Sequence, residues 1–106
     1  MYDQNYITAY GTQTKVTAVA LPAGTPMQLV AQNFNRHLLT LQVTGTAPAT
    51  FGFGAAPPAA GQGLALDGAS TAGGQGGAYE FKDIIPSDAI WAIAAAGTAV
   101  VVIEGF

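Results

Sequence analysis

The sequence predicts an all-β protein: a single β-sandwich, jelly-roll-like, of about eight short strands, carrying an N-terminal arm. Three observations predict it. Apolar and polar residues alternate with period two in several short runs, most cleanly at 37–44, and that period marks a strand with one covered face. Gly and Pro punctuate the chain at intervals of about 8–12 residues, the spacing of turns in sandwiches and barrels. The one helical candidate, 87–96, where Ser87 would cap a run of alanines, competes with a strand over the same residues, and the strand is preferred.

In chain order, residues 1–12 read as an arm containing Tyr2, Tyr6 and Tyr10. Their spacing of four would align the rings on a helix, but an irregular arm is the preferred reading. Residues 13–106 form the sandwich domain. The strand at 13–20 sets Val16, Ala18 and Ala20 on one face, with Lys15 and Thr17 on the other, Lys15 read as outward. Residues 21–26 turn on two prolines and a glycine. A short strand covers 27–31, and 32–36 is a polar loop. In 37–44, Leu39, Leu41 and Val43 face in while Thr40, Gln42 and Thr44 face out. After a turn at 45–48, the strand at 50–54 puts Phe51 and Phe53 on one face.

Residues 55–61, rich in Ala and Pro, fit neither a central strand nor a helix interior. Residues 63–66 are a brief strand. Residues 67–77, mostly Gly, Ala and Ser, have almost nothing to bury and read as a loop at a surface tip or in a threefold crevice. Alternation resumes at 78–82 with Tyr79 and Phe81 on one face. Strands at 90–96 and 98–106 flank Gly97-Thr98, which fits a two-residue hairpin turn with Gly at the position needing positive φ. Trp91 and Tyr79 both fall on faces that read as core.

Charge narrows the function. Nine of 106 residues are charged, 8%, against about 25% for an ordinary soluble domain. Segments 18–34, 37–66 and 89–103 contain no acid and no lysine, so long stretches of β surface are faced with Ala, Thr and Gln. Such a surface suits contact with other protein better than free solution. Net charge is −3 with three scattered cations, a poor match for nucleic acid. No apolar run approaches the roughly 20 residues of a membrane-spanning helix. The first residues lack the basic start and apolar core of a signal peptide, which points to synthesis in the cytoplasm.

Apparent chemical motifs dissolve on inspection. Gly52-Phe53-Gly54 and the glycines of 73–77 open no helix and precede no Lys-Ser/Thr pair, so they are not phosphate loops. His37 is the sole histidine and there is no cysteine, which leaves no basis for a triad, a thiolate nucleophile or a metal centre. Glu80, Asp83 and Asp88 read as an outward strand residue and turn formers rather than a glycosidase carboxylate pair. The expectation is a non-enzyme without cofactor, metal or small-molecule substrate. Gln32-Asn33-Phe34-Asn35-Arg36 is the most informative polar run. The asparagines shape the loop. The lone arginine has two open roles: an internal clamp to Glu104 or Asp88, or an anchor to another subunit.

Residues 31–44, with Asn33-Phe34-Asn35-Arg36 leading into a strand, resemble the opening of small virion structural proteins of tailed bacteriophages. Residues 49–54 resemble their isolated strand followed by glycine, and 90–105 resemble their closing hairpin. The resemblance covers roughly 30–106 and is to capsid decoration (cement) and head-fibre-base proteins. It implies a β-sandwich, often a homotrimer, bound to the outer surface of the major capsid protein lattice of a virion, with no catalytic residue. On that reading Tyr2, Tyr6, Tyr10, Asn33, Asn35 and Arg36 are the candidate capsid or subunit interface. The alternative is a receptor- or glycan-binding module of a phage fibre or tail, which needs exposed Trp91 and Tyr79.

Overall fold

The computed structural model describes residues 13–55 and 62–106. Among them are eight strands: β1 (Thr14–Leu21), β2 (Met27–Val30), β3 (Leu38–Val43), β4 (Ala49–Phe53), β5 (Leu64–Leu66), β6 (Ala78–Phe81), β7 (Ile90–Ile93) and β8 (Thr98–Gly105). They form two four-stranded antiparallel sheets, β1-β8-β3-β6 and β2-β7-β4-β5. The pairings β1·β8, β2·β7, β3·β6 and β4·β5 are those of one long ribbon doubled back at its midpoint. Winding that ribbon creates the further pairs β3·β8 and β4·β7. This is the double-sheet jelly roll that the punctuated alternation predicts.

Inward residues from both sheets meet in one core. Leu39, Leu41, Val43, Val100 and Val102 come from the first sheet, and Phe51, Ile90 and Ala92 from the second. Phe53 and Phe81 pack edge to face across the gap, with centroids 5.6 Å apart. In β2 the register shifts between Gln28 and Val30, a bulge that lets the adjacent Leu29 and Val30 both turn inward.

Three local expectations are corrected. Strand β1 is turned over: Leu21 is buried and Thr17 and Val19 are half-buried on the inner side, while Val16, Ala18 and Ala20 face outward. Lys15 therefore shares the inner face, opposite Glu104. Period two defines two faces, and only the partner sheet decides which is covered. Trp91 lies on the outer face of its sheet, because Ile90, Ala92 and Ala94 fill the core. Residues 94–97 are not a hairpin: β7 and β8 belong to different sheets, and Gly97 is not among the glycines with positive φ.

The glycine-rich segment 67–77 is a surface loop tied to its neighbours. It lies against the β3–β4 turn and is held by backbone hydrogen bonds: Ala69 N–H to Gly45 O (2.7 Å), Gly73 N–H to Thr44 O (2.9 Å) and Gly76 N–H to Val43 O (2.8 Å). Close backbone approach is what demands glycine there. A Cβ on Gly45 would collide with Thr98 Oγ1 and the Ala99 amide, and one on Gly76 with the Val43 carbonyl. The expected consequence is a contrast between two substitutions in urea denaturation. Gly45→Ala should lose about 1–3 kcal/mol through overpacking. Gly97→Ala, whose nearest neighbour is Leu21 O at 3.7 Å, should be neutral or gain up to about 1 kcal/mol by stiffening the unfolded chain.

Candidate functional site

The polar run 32–36 becomes a structural junction. The Asn35 amide donates to Asn33 Oδ1 (2.9 Å) and the Arg36 amide to Asn33 O (3.3 Å), so the asparagine bends the connection between β2 and β3. That bend sends the Arg36 side chain into the end of the sandwich, where it is 0% exposed. Glu104 reaches the same point from β8, where it continues the inward phase of Val100 and Val102. Arg36 Nε donates to Glu104 Oε2 at 2.8 Å, and Nη2 lies 2.8 Å from the same oxygen. Nη1 donates to Pro86 O (2.7 Å) and Asp88 O (3.0 Å), and Nη2 to Ala31 O (3.1 Å). A guanidinium has five N–H groups, and here five oxygen contacts surround it.

Of the two roles left open for Arg36, the structure fills the inward one. The partners are the Glu104 carboxylate and the Asp88 carbonyl rather than the Asp88 side chain. With no exposed donor remaining, contact with another subunit would pass to its neighbours. Asn33 is half-buried and Asn35 exposed. His37 Nδ1 lies 3.2 Å from Asn35 O, within the same polar cluster. Tyr2, Tyr6 and Tyr10 lie outside the described residues.

The clamp builds a platform. It locks the β2–β3 connection to the β6–β7 connection, and Asn33 N–H to Ser87 O (2.8 Å) reinforces the join. Gly54 N–H donates to Ala89 O (3.0 Å), drawing in the start of the β4–β5 loop. Gln13 and Phe106 exchange a pair of backbone hydrogen bonds at this end. Two large apolar side chains project from the platform: Phe34, 80% exposed, and Ile84, 84% exposed. Sequence reasoning passed over both. The available signal was an apolar residue inside a turn-forming run, out of phase with any strand.

Two other surfaces matter. Between the open edges of β1 and β2 lies a cleft of about 340 Å³, lined by Lys15, Thr17, Leu29, Val30, Glu104 and Phe106 among others. Thr17 Oγ1 is buried without a hydrogen-bond partner, alone in this respect among the described side chains. Beside β6, a hollow of about 390 Å³ is lined by residues 79–84. Tyr79, 47% exposed, stands there edge-on to Phe81 at 4.9 Å. Trp91 is committed elsewhere: its Nε1 donates to Gly54 O (3.0 Å), and its cross-strand neighbour is Gly52.

The fold and this platform place the chain in the class of small jelly-roll proteins. Comparison with known protein families, with curated proteins and with solved structures finds no match.

Removing the clamp should be costly. Arg36→Ala would leave Glu104 buried without its counter-charge and three carbonyls without donors, for a loss of about 3–5 kcal/mol. Arg36→Lys should recover only part of this, because an ammonium cannot span the fork. Chemical denaturation of both variants, read at the urea midpoint, checks the order wild type > Lys > Ala.

Proposed function

We propose that the chain is a virion structural protein that binds the outer surface of a bacteriophage major capsid protein lattice as an oligomer, stabilising the shell rather than catalysing a reaction. The observation that carries this reading is the presentation of Phe34 and Ile84 on adjoining loops locked by a buried arginine. Exposed apolar residues on a preorganised support act as anchors, because little ordering entropy remains to be lost on docking. The scarcity of charge on the sheet faces supports contact with a protein surface, and jelly rolls recur in viral capsid domains. Repetition of the site in an oligomer on a lattice turns weak contacts into tight attachment.

Cosedimentation with purified capsids of the parent phage tests this. Phe34→Ala and Ile84→Asp should each reduce capsid occupancy at least tenfold while leaving the β-rich circular dichroism spectrum unchanged. Deletion of residues 2–11 should give a folded protein that no longer decorates. Normal occupancy in all three would overturn the reading.

A second reading, a glycan-binding module of a fibre or tail, is favoured by one observation. Tyr79 borders a hollow that also holds Glu80, Lys82 and Asp83, an aromatic platform ringed by polar groups. A glycan array giving hits that Tyr79→Ala abolishes would select this reading over capsid decoration.

A further inference from the structure

The four sheet edges are not alike. Strands β2, β5 and β6 are four, three and four residues long, and β2 is bulged. Short or bulged edges are the usual protection against unwanted pairing. Strand β1 is eight residues long, contains no proline and pairs with β8 without a register shift. Among the described residues nothing pairs with its other side.

The hydrogen-bond phase of that free edge can be derived. Gln13 and Phe106 exchange both of their backbone hydrogen bonds, so odd-numbered residues of β1 point their N–H and C=O groups at β8. The even-numbered residues Thr14, Val16, Ala18 and Ala20 therefore point theirs away, into the open. Their side chains also lie on the outer face, where Val16 is 62% exposed.

We propose that this edge is completed by the β1 strand of a second copy of the same chain, antiparallel across a two-fold axis at Thr17, joining two four-stranded sheets into one. Two features select that register and a third is compatible with it. First, pairing Thr17 with Thr17 sets Val16 against Ala18 and Thr14 against Ala20, so all four open residues exchange hydrogen bonds with their counterparts. A shift by two residues toward the C-terminus would set Thr14 against Pro22, which has no N–H. Second, Thr17 carries the orphaned buried hydroxyl. At the axis the two threonines form a non-hydrogen-bonded pair, with Cα atoms about 4.5 Å apart, and a χ1 rotation lets one hydroxyl donate to the other. Third, the charge pattern permits it. Lys15, opposite Glu104 within its own sheet, meets Val19 of the other copy rather than a second lysine. The interface is isologous, as a two-fold contact must be. It takes the place of the threefold assembly that the bacteriophage resemblance implies, and it stands whether or not the chain binds a capsid.

The absence of cysteine makes the test clean. Sedimentation equilibrium of the full chain should give a dimer. Ala18→Pro removes an N–H that no internal hydrogen bond uses and that proline tolerates at an edge. It should stay folded by circular dichroism and weaken the dimer at least tenfold. Under mild oxidation Thr17→Cys should form a disulfide-linked dimer, whereas Val19→Cys, displaced by four positions from its own copy, should not. A monomeric or trimeric wild type, an Ala18→Pro dimer of unchanged strength, or equal cross-linking of Thr17→Cys and Val19→Cys would each overturn the proposal.

Discussion

The buried pair of Arg36 and Glu104 is the interaction on which this sandwich depends. Sixty-eight positions separate the two residues, and between them the chain passes through most of the fold. Taking both charges out of water is expensive, and their attraction offsets that cost only when the geometry is good and every remaining donor is satisfied. Here it is: one carboxylate oxygen accepts twice, and three carbonyls accept the other hydrogen bonds. Those carbonyls belong to connections that would otherwise bury unpaired backbone groups. One side chain thus neutralises a core carboxylate and satisfies loop backbone from both sides of the sandwich.

The opposite end is held by a different means. There the β3–β4 turn, the segment 67–77 and the start of β8 pack backbone against backbone, with glycines where a side chain would collide. Thr98 adds a hydroxyl hydrogen bond to Ala47 O (2.7 Å). Segment 67–77 offers little apolar area, so order there comes from paired amides and close approach rather than from large side chains. The two ends differ accordingly. The glycine end is closed on itself, whereas the arginine end is firm underneath and presents Phe34 and Ile84 on top.

That asymmetry gives the low charge a location. The outer face of the first sheet carries Val16, Ala18, Ala20, Leu38, Val101 and Ile103, interrupted by Thr40, Gln42 and the single acid Glu80. It extends to the open β1 edge. The platform lies at the end of the same sheet, so the proposed dimer edge and the proposed docking residues do not compete. Such a division suits a subunit that meets its own kind sideways and a larger surface end-on.

Much of this was legible in the sequence. Alternation and punctuation located all eight strands to within a few residues, because the pleat forces period two wherever one face is covered. The loop-shaping role of Asn33 was also within reach, and so was an inward clamp from Arg36, with Glu104 and Asp88 left as alternative partners; only the fold picks the Glu104 carboxylate. Other features were decided only by the tertiary structure. Which face of β1 is inside depends on the sheet opposite. Whether Gly97-Thr98 closes a hairpin depends on which sheet receives the next strand, which no local turn signal records. The glycines of 67–77 looked like slack because their partners lie in Gly45 and Val43, remote in sequence. The sequence determined where strands form and where charge is missing, both local properties of residue type. The winding of the ribbon decided what those strands cover and what they leave open, because burial is a relation between segments and not a property of any one of them.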